Sequence, residues 1–261
     1  MSTADPSPPP AASASLSPGS FPPADQNAPP SAPALRDLAS HLCFWSIAGL
    51  GLALDLWSKR WAFQTLGLGG RRVVIPRLLE LQTMLNDGAL FGIGSGQTTL
   101  FLIASALALG LVAWMFVHSP ARSWLLHIAL GAILAGALGN MYDRMFVRLV
   151  EQRTGGVPRY YVRSDEDEWI VLREYPVRAD GPVLRRSRGT SDVPEPVGYV
   201  RDFLKIPTRL FGKREIWPWV FNVADTLLVG GVGILALRLW GERHTRQRRQ
   251  RVAVDARSPA P

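Results

Sequence analysis

Two runs in this chain, residues 88–121 and 123–142, contain no Asp, Glu, Lys or Arg. That constrains the fold more than any other feature, because a soluble domain must wet a continuous surface and spreads its charges to do so. Four stretches are long and apolar enough to cross a bilayer as helices, which takes about 20 residues each. They run from about His41 to Leu66, from Thr98 to Val117, from Ser123 to about Met145 and from Val220 to Trp240. A backbone in hydrocarbon must satisfy its own hydrogen bonds, so runs this long are predicted to be helical. Only His118-Ser119-Pro120-Ala121-Arg122 separates the second from the third, which predicts a tight helical hairpin. The expected architecture is an all-α integral membrane protein, a four-helix bundle with a small external β-containing region and a disordered N-terminal extension.

The charge balance is basic, with 29 Lys and Arg against 21 Asp and Glu. Taken alone this suggests nucleic acid, but the positions of the charges point elsewhere. Arg238, Arg243, Arg246, Arg248, Arg249 and Arg251 gather around and beyond the end of the fourth span against a single Glu242. The positive-inside rule places that tail in the cytoplasm, and an even number of spans places the N-terminus there too. Residues 146–219 carry 14 basic and 11 acidic residues, and loops of that length cross largely regardless of charge. No nucleic-acid partner is expected; membrane lipids with anionic headgroups are the natural counterpart of the tail. Residues 1–34 hold ten of the 21 prolines and no Lys or Arg, so they are expected to be a disordered cytosolic leader. They lack the basic start of a signal peptide, and the first span is expected to serve as an uncleaved anchor. Cys43 is the only cysteine and forms no disulfide within the chain.

Ionisable and amide side chains inside a span cost on the order of 2.5–3.5 kcal/mol each on insertion scales, so their placement needs a reason. In the first span Asp55 and Lys59 are four apart on one face, near Trp57, Trp61 and Phe63. From the residues alone they read as an ion pair at the outer membrane interface that holds the helix. In the third span Asn140, Asp143 and Arg144 share a face, after small residues that admit a close neighbour. In the fourth, Asn222 and Asp225 lie three apart, just below Trp217 and Trp219. The third span runs outward and the fourth inward, so both clusters fall at one external end of the bundle. No His is paired with Ser or Cys for nucleophilic catalysis, and no cluster has metal-ligand spacing, so neither metal nor organic cofactor is expected. The remaining hydrolytic chemistry is a carboxylate pair, one member taking a proton from water and the other polarising a carbonyl. Asp225 is a good first member. Asp143, Asp202 and Asp87 are the candidates for the second, and the clear helix placement of Asp143 favours it.

Five ordered blocks resemble the lipoprotein signal peptidases (signal peptidase type II). They are Asp55 with Lys59; Asn86-Asp87-Gly88-Ala89-Leu90-Phe91-Gly92; Gly139-Asn140-Met141-Tyr142-Asp143-Arg144; Val200-Arg201-Asp202-Phe203; and Trp217-Pro218 through Asp225. The resemblance covers about 42–148 and 198–240 and implies an intramembrane aspartic peptidase of the bacterial cytoplasmic (inner) membrane. It implies that Asp202 and Asp225 are the catalytic pair. By the same resemblance Asp143 supports the polar network beside Asn140 and Arg144, and Asn86, Asn140, Arg144 and Asn222 hold the substrate backbone near the pair. Asp55, Lys59 and Gly88 complete the substrate-binding or supporting set. The substrate it implies is a diacylglyceryl-modified prolipoprotein, cut on the N-terminal side of the lipidated Cys.

Two departures stand out. Leu90 occupies a position where the family has a small Ala. About fifty residues, roughly 149–198, intervene where the family has a short connection. Arg159-Tyr160-Tyr161-Val162-Arg163 and Trp169-Ile170-Val171-Leu172 predict a small β-hairpin or meander there, and Asp165-Glu166-Asp167-Glu168 a solvated turn. The expected organisation is a leader at 1–36, three spans at 37–148 with an external loop at 67–97, the insertion at 149–198, a catalytic loop and fourth span at 199–241, and a basic cytosolic tail at 242–261. Two other functions fit the same polar clusters, a non-catalytic binding or transport protein and an inactive homologue.

Overall fold

The structure is a computed structural model, and it describes residues 32–88, 98–189, 193–210, 214–215 and 217–255. The leader residues 1–31 and the block residues Ala89, Leu90, Phe91 and Gly92 lie outside the described residues. Four helices are long and apolar enough to cross a membrane: α1 (Leu38–Leu66), α2 (Thr98–Val117), α3 (Trp124–Phe146) and α4 (Val223–Asp255). Helix α1 starts where Asp37 caps it, accepting from the Ser40 backbone N–H at 2.9 Å. It stops at Gly67, whose φ of 74° suits glycine and whose N–H bonds the Phe63 carbonyl at 3.1 Å.

Helix α3 is the centre of the bundle, packed against all three others. Its small residues make that possible. A Cβ on Gly136 would run into the Ala224 carbonyl and Leu228 of α4, and one on Gly131 into the Phe44 carbonyl of α1. Helix α2 turns Leu100, Ile103, Leu107, Leu111 and Trp114 outward at helical spacing, an apolar stripe suited to lipid. At one end of the bundle Phe44, Phe116, Leu126, Leu130 and Leu134 form an apolar core, with Phe44 and Phe116 stacked at 4.4 Å. The polar clusters lie at the other end.

The expectation of an all-α fold is corrected by the β-sheets built on that second end. Strands β1 (Arg71–Ile75), β2 (Leu79–Asn86), β8 (Val200–Lys205) and β11 (Val220–Phe221) form an antiparallel sheet in the order β1-β2-β8-β11. Ala62 and Phe63 of α1 pack with Leu81 and Phe203 and so fasten this sheet to the bundle. The insertion supplies β3 (Arg148–Thr154), β4 (Val157–Glu166), β5 (Trp169–Glu174), β6 (Val183–Ser187) and β7 (Val197–Gly198), in the order β6-β5-β4-β3-β7. It has its own core of Val150, Tyr161, Ile170 and Leu172. Strand β3 leaves the end of α3 directly, and β7 leads into β8 after one residue, Tyr199. A short pair, β9 (Arg209–Leu210) with β10 (Arg214–Glu215), completes the strands among the described residues.

Three further differences from the sequence expectations have local causes. Residues 32–36, expected to belong to the disordered leader, dock on the α2–α3 turn. The Ala34 N–H bonds the Ser119 carbonyl at 2.9 Å and the Ala121 N–H bonds the Ala32 carbonyl at 2.7 Å. Phe63, expected beside an ion pair at the outer membrane interface, is 1% exposed because it carries the contact between bundle and sheet. Helix α4 runs past Trp240 into the expected tail, where Arg238 and Glu242 pair four apart at 3.0 Å and good helix formers follow.

Candidate active site

The site is assembled where the ends of α1, α3 and α4 meet β2 and β8. Asn222 is the cap of α4 and Asp225 its third residue. The Asp225 N–H donates to Asn222 Oδ1 at 3.0 Å, and the Asn222 N–H donates to Asp225 Oδ2 at 3.2 Å. This reciprocal box fixes both side chains at a helix N-terminus, where the backbone dipole favours an anion. The sequence expectation had put both inside the fourth helical span; the helix in fact begins between them.

Asp202 was expected in a loop. It lies on β8, opposite Met84 of β2, and is 1% exposed. Asn86 Nδ2 donates to its Oδ2 at 2.9 Å and Asn222 Nδ2 to its Oδ1 at 2.6 Å. Asn222 thus touches both carboxylates. Asn140 of α3 completes the link, donating from Nδ2 to Asp225 Oδ1 at 2.8 Å. Asp202 and Asp225 line one cavity of about 270 Å³ with Asn86, Gly88, Asn140 and Arg144. Burial, followed by the neighbouring Asp225 carboxylate, pushes the Asp202 carboxyl up to about 7, against the lowering effect of the Asn86 and Asn222 donors.

Arg144 reaches into the cavity from α3. Its Nη2 donates to the Gly88 carbonyl at 3.0 Å and its guanidinium sits 4.8 Å above the Phe101 ring. Its buried Nε has no hydrogen-bond partner among the described residues. Asn86 Oδ1 in turn accepts the Gly88 N–H at 2.9 Å, so one side chain ties the turn after β2 to Asp202.

Behind the cavity runs a buried chain of charge. Lys59 Nζ lies 2.8 Å from Asp55 Oδ2, 3.1 Å from Asn140 Oδ1 and 3.4 Å from Asp143 Oδ2. Asp55 accepts the Ala224 N–H at 2.8 Å, supporting the first turn of α4. The ion pair read from the sequence is present, and beyond that reading both side chains are 0% exposed and reach across to α3 and α4. Gly139 leaves room for them, because a Cβ there would overlap the Asp55 carboxylate. Asp143 faces away from the cavity and takes the Arg201 N–H at 3.0 Å and Arg201 Nε at 3.1 Å. Geometry therefore brings Asp202, not Asp143, into one cavity with Asp225. Asp87 lines the cavity too. Arg201 was missed from the sequence, although an arginine between Val200 and the Asp202-Phe203 pair, in a short strand, was a signal that it needs an acidic partner.

Against this geometry the comparisons with known proteins are informative. The family model described as signal peptidase (SPase) II matches residues 47–241. A lipoprotein signal peptidase of Rhodopirellula baltica is 37% identical over 137 residues, covering 49% of this chain and 61% of that protein. One of Desulfitobacterium hafniense is 26% identical over 196 residues, covering 75% of this chain and 91% of its own. A bacterial membrane enzyme solved by the in meso method shares the fold, with a TM-score of 0.51 at 23% identity over 78% of this chain and 89% of that one. A family match that runs from within α1 to within α4 takes in the whole polar cluster, and by it this chain belongs to the signal peptidase II family.

Proposed function

We propose that the protein is an aspartic endopeptidase of the bacterial inner membrane that cleaves the signal peptide from diacylglyceryl-modified prolipoproteins, on the N-terminal side of the lipidated Cys. The observation that carries this reading is the placement of Asp202 and Asp225 on one cavity, each held by a different donor of Asn222. A water between them loses a proton to Asp225 as its oxygen adds to the scissile carbonyl carbon, and Asp202 gives its proton to the carbonyl oxygen. Collapse of the tetrahedral intermediate breaks the C–N bond as the proton taken by Asp225 passes to the leaving nitrogen. The proton returns from the former carbonyl oxygen to Asp202. Asn86, Gly88, Asn140 and Arg144 line the same cavity, where a substrate backbone needs donors and acceptors. Both chain ends face the cytoplasm on this reading, because of the arginines around and beyond the end of α4, and the site faces the external side.

The direct test is the purified protein with a diacylglyceryl-modified precursor, the products weighed by mass spectrometry. The expected product starts at the modified Cys. No cleavage by folded protein would indicate a binding or transport role or an inactive homologue, and cleavage elsewhere would exclude the assigned specificity.

A pH profile tests the division of labour. The Asp202 proton is held up to about pH 7 and lost above it. Because that proton goes to the carbonyl, kcat/KM is expected to fall about tenfold per pH unit above that point. The dyad titrates as a unit, so the limb reports its apparent pKa. A profile flat from pH 6 to 9 would remove Asp202 as proton donor. The same shift acts on stability: the contribution is full below 3.8, the carboxyl's ordinary value, and is lost as pH rises through about 7.

A further inference from the structure

Beside the dyad cavity lies a second hollow, a groove of about 670 Å³. One wall is β2 at Thr83, Met84 and Leu85, and the other is the insertion at Val157, Tyr160 and Arg178. Met84 and Leu85 line both hollows, so the two meet along β2. Strand β1 pairs with β2 only as far as Gln82. The next residue, Thr83, bonds on that same side, its N–H to the Gly70 carbonyl at 3.0 Å and its carbonyl to the Gly69 N–H at 3.1 Å. Past the irregularity in the β2–β8 pairing between Leu81 and Met84, Leu85 stands opposite Arg201, whose N–H goes to Asp143 Oδ2 and not to β2. Residues paired across an antiparallel ladder turn their backbone groups toward or away from each other together, so Leu85 turns its N–H and C=O away from β8, past the end of β1. The adjoining residue Met84 stands opposite Asp202. A strand edge thus opens onto the groove within one residue of the dyad strand's partner.

We propose that this groove receives, as an added strand along β2, the first residues of the precursor that follow the cleavage site. This rests on the peptidase reading above and extends it to a role for the insertion. An exposed strand edge takes an extended peptide by main-chain bonds, while side chains on the flanking walls give preference. The choice of occupant follows from polarity. The residues before the scissile bond belong to an apolar signal helix that stays among the spans. Those after it are polar chain leaving the membrane, and the groove is on the sheet side, with the Arg159–Glu174 ion pair and Arg178 at its wall. About eight residues of extended chain span some 25 Å, enough to run from a cleavage site along such an edge.

The test compares two synthetic diacylglyceryl-modified precursors, one ending about three residues after the Cys and one continuing for about twelve polar residues. In the full-length enzyme, Val157→Trp fills the groove and Arg178→Glu reverses its charge. The ratio of kcat/KM for the long precursor to that for the short one is expected to fall about tenfold in each, through KM. An unchanged ratio would overturn the proposal. A second measurement leaves the groove open: Val157→Cys is expected to form a disulfide with a cysteine placed about five residues after the cleavage site of the long precursor, and not with one placed in its signal helix. Absence of that cross-link would also overturn the proposal. If the unaltered enzyme cleaves neither precursor, the peptidase reading itself fails.

Discussion

Asp225→Asn and Asp202→Asn are each expected to lower kcat on a lipidated precursor by about 10²–10⁴-fold, the range that general acid–base groups supply. On the proposed mechanism each carboxylate moves a proton that its hydrogen-bond partners cannot move in its place. The side chains that hydrogen-bond to them are Asn86, Asn140 and Asn222, amides without a titratable proton. The double variant is expected to lose little more than either single one, because members of a catalytic unit are not additive. Folding must be checked, since Asp225 accepts on both oxygens and an amide can accept on only one. A melting temperature close to that of the unaltered protein, with kcat reduced as stated, assigns the loss to chemistry. A loss below tenfold in either variant would exclude that residue from proton transfer. The same substitution at Asp143 separates the two candidates that the sequence left open. Asp143 is spent on Lys59 and Arg201, so its loss is expected to lower stability first and activity only through it.

The parts of this molecule that were legible in the sequence are those fixed by local composition. The span α2 is bounded by Thr98 and Val117 as expected, because nothing but the length of an apolar run determines it. The i, i+4 spacing of Asp55 and Lys59 was equally plain. Their burial was not, because it depends on Gly139, on a helix roughly eighty residues away, lacking a Cβ. In strand β2 Leu79, Leu81 and Leu85 alternate in sequence with Glu80, Gln82 and Asn86, a strand signal, although its pairing with β8 slips between Leu81 and Met84. The position of Asp202 was beyond local reading altogether. Its strand is six residues long and acquires meaning only by pairing with β2, and Asn86 reaches Asp202 across 116 positions of sequence. Periodicity cannot report a partner at that distance. Family resemblance named Asp202, and pairing with β2 is what carries its side chain to the cavity that Asp225 also lines.

Lys59→Met is expected to destabilise the protein by about 3–5 kcal/mol, the usual consequence of removing one partner from a buried ion pair. The methionine fits the space left by the lysine stem, so the loss is electrostatic. Lys59 is the cation between Asp55 and Asp143, with both partners 0% exposed. Asp143 keeps Arg201 at 3.0–3.1 Å, whereas among the described residues Asp55 keeps only the Ala224 N–H at 2.8 Å. The uncompensated charge therefore falls on Asp55, against the first turn of α4 and two residues' reach from the dyad. Melting in detergent is expected to drop on the order of 10 °C, using a few degrees per kcal/mol for a chain of this size. Adding Asp55→Asn should recover at least half of that drop, because a neutral amide can still accept the Ala224 N–H without a counter-ion. A drop of under about 2 °C in the single variant, or no recovery in the double, would mean that the ion pair is not what holds α1 to α3 and α4 beneath the site.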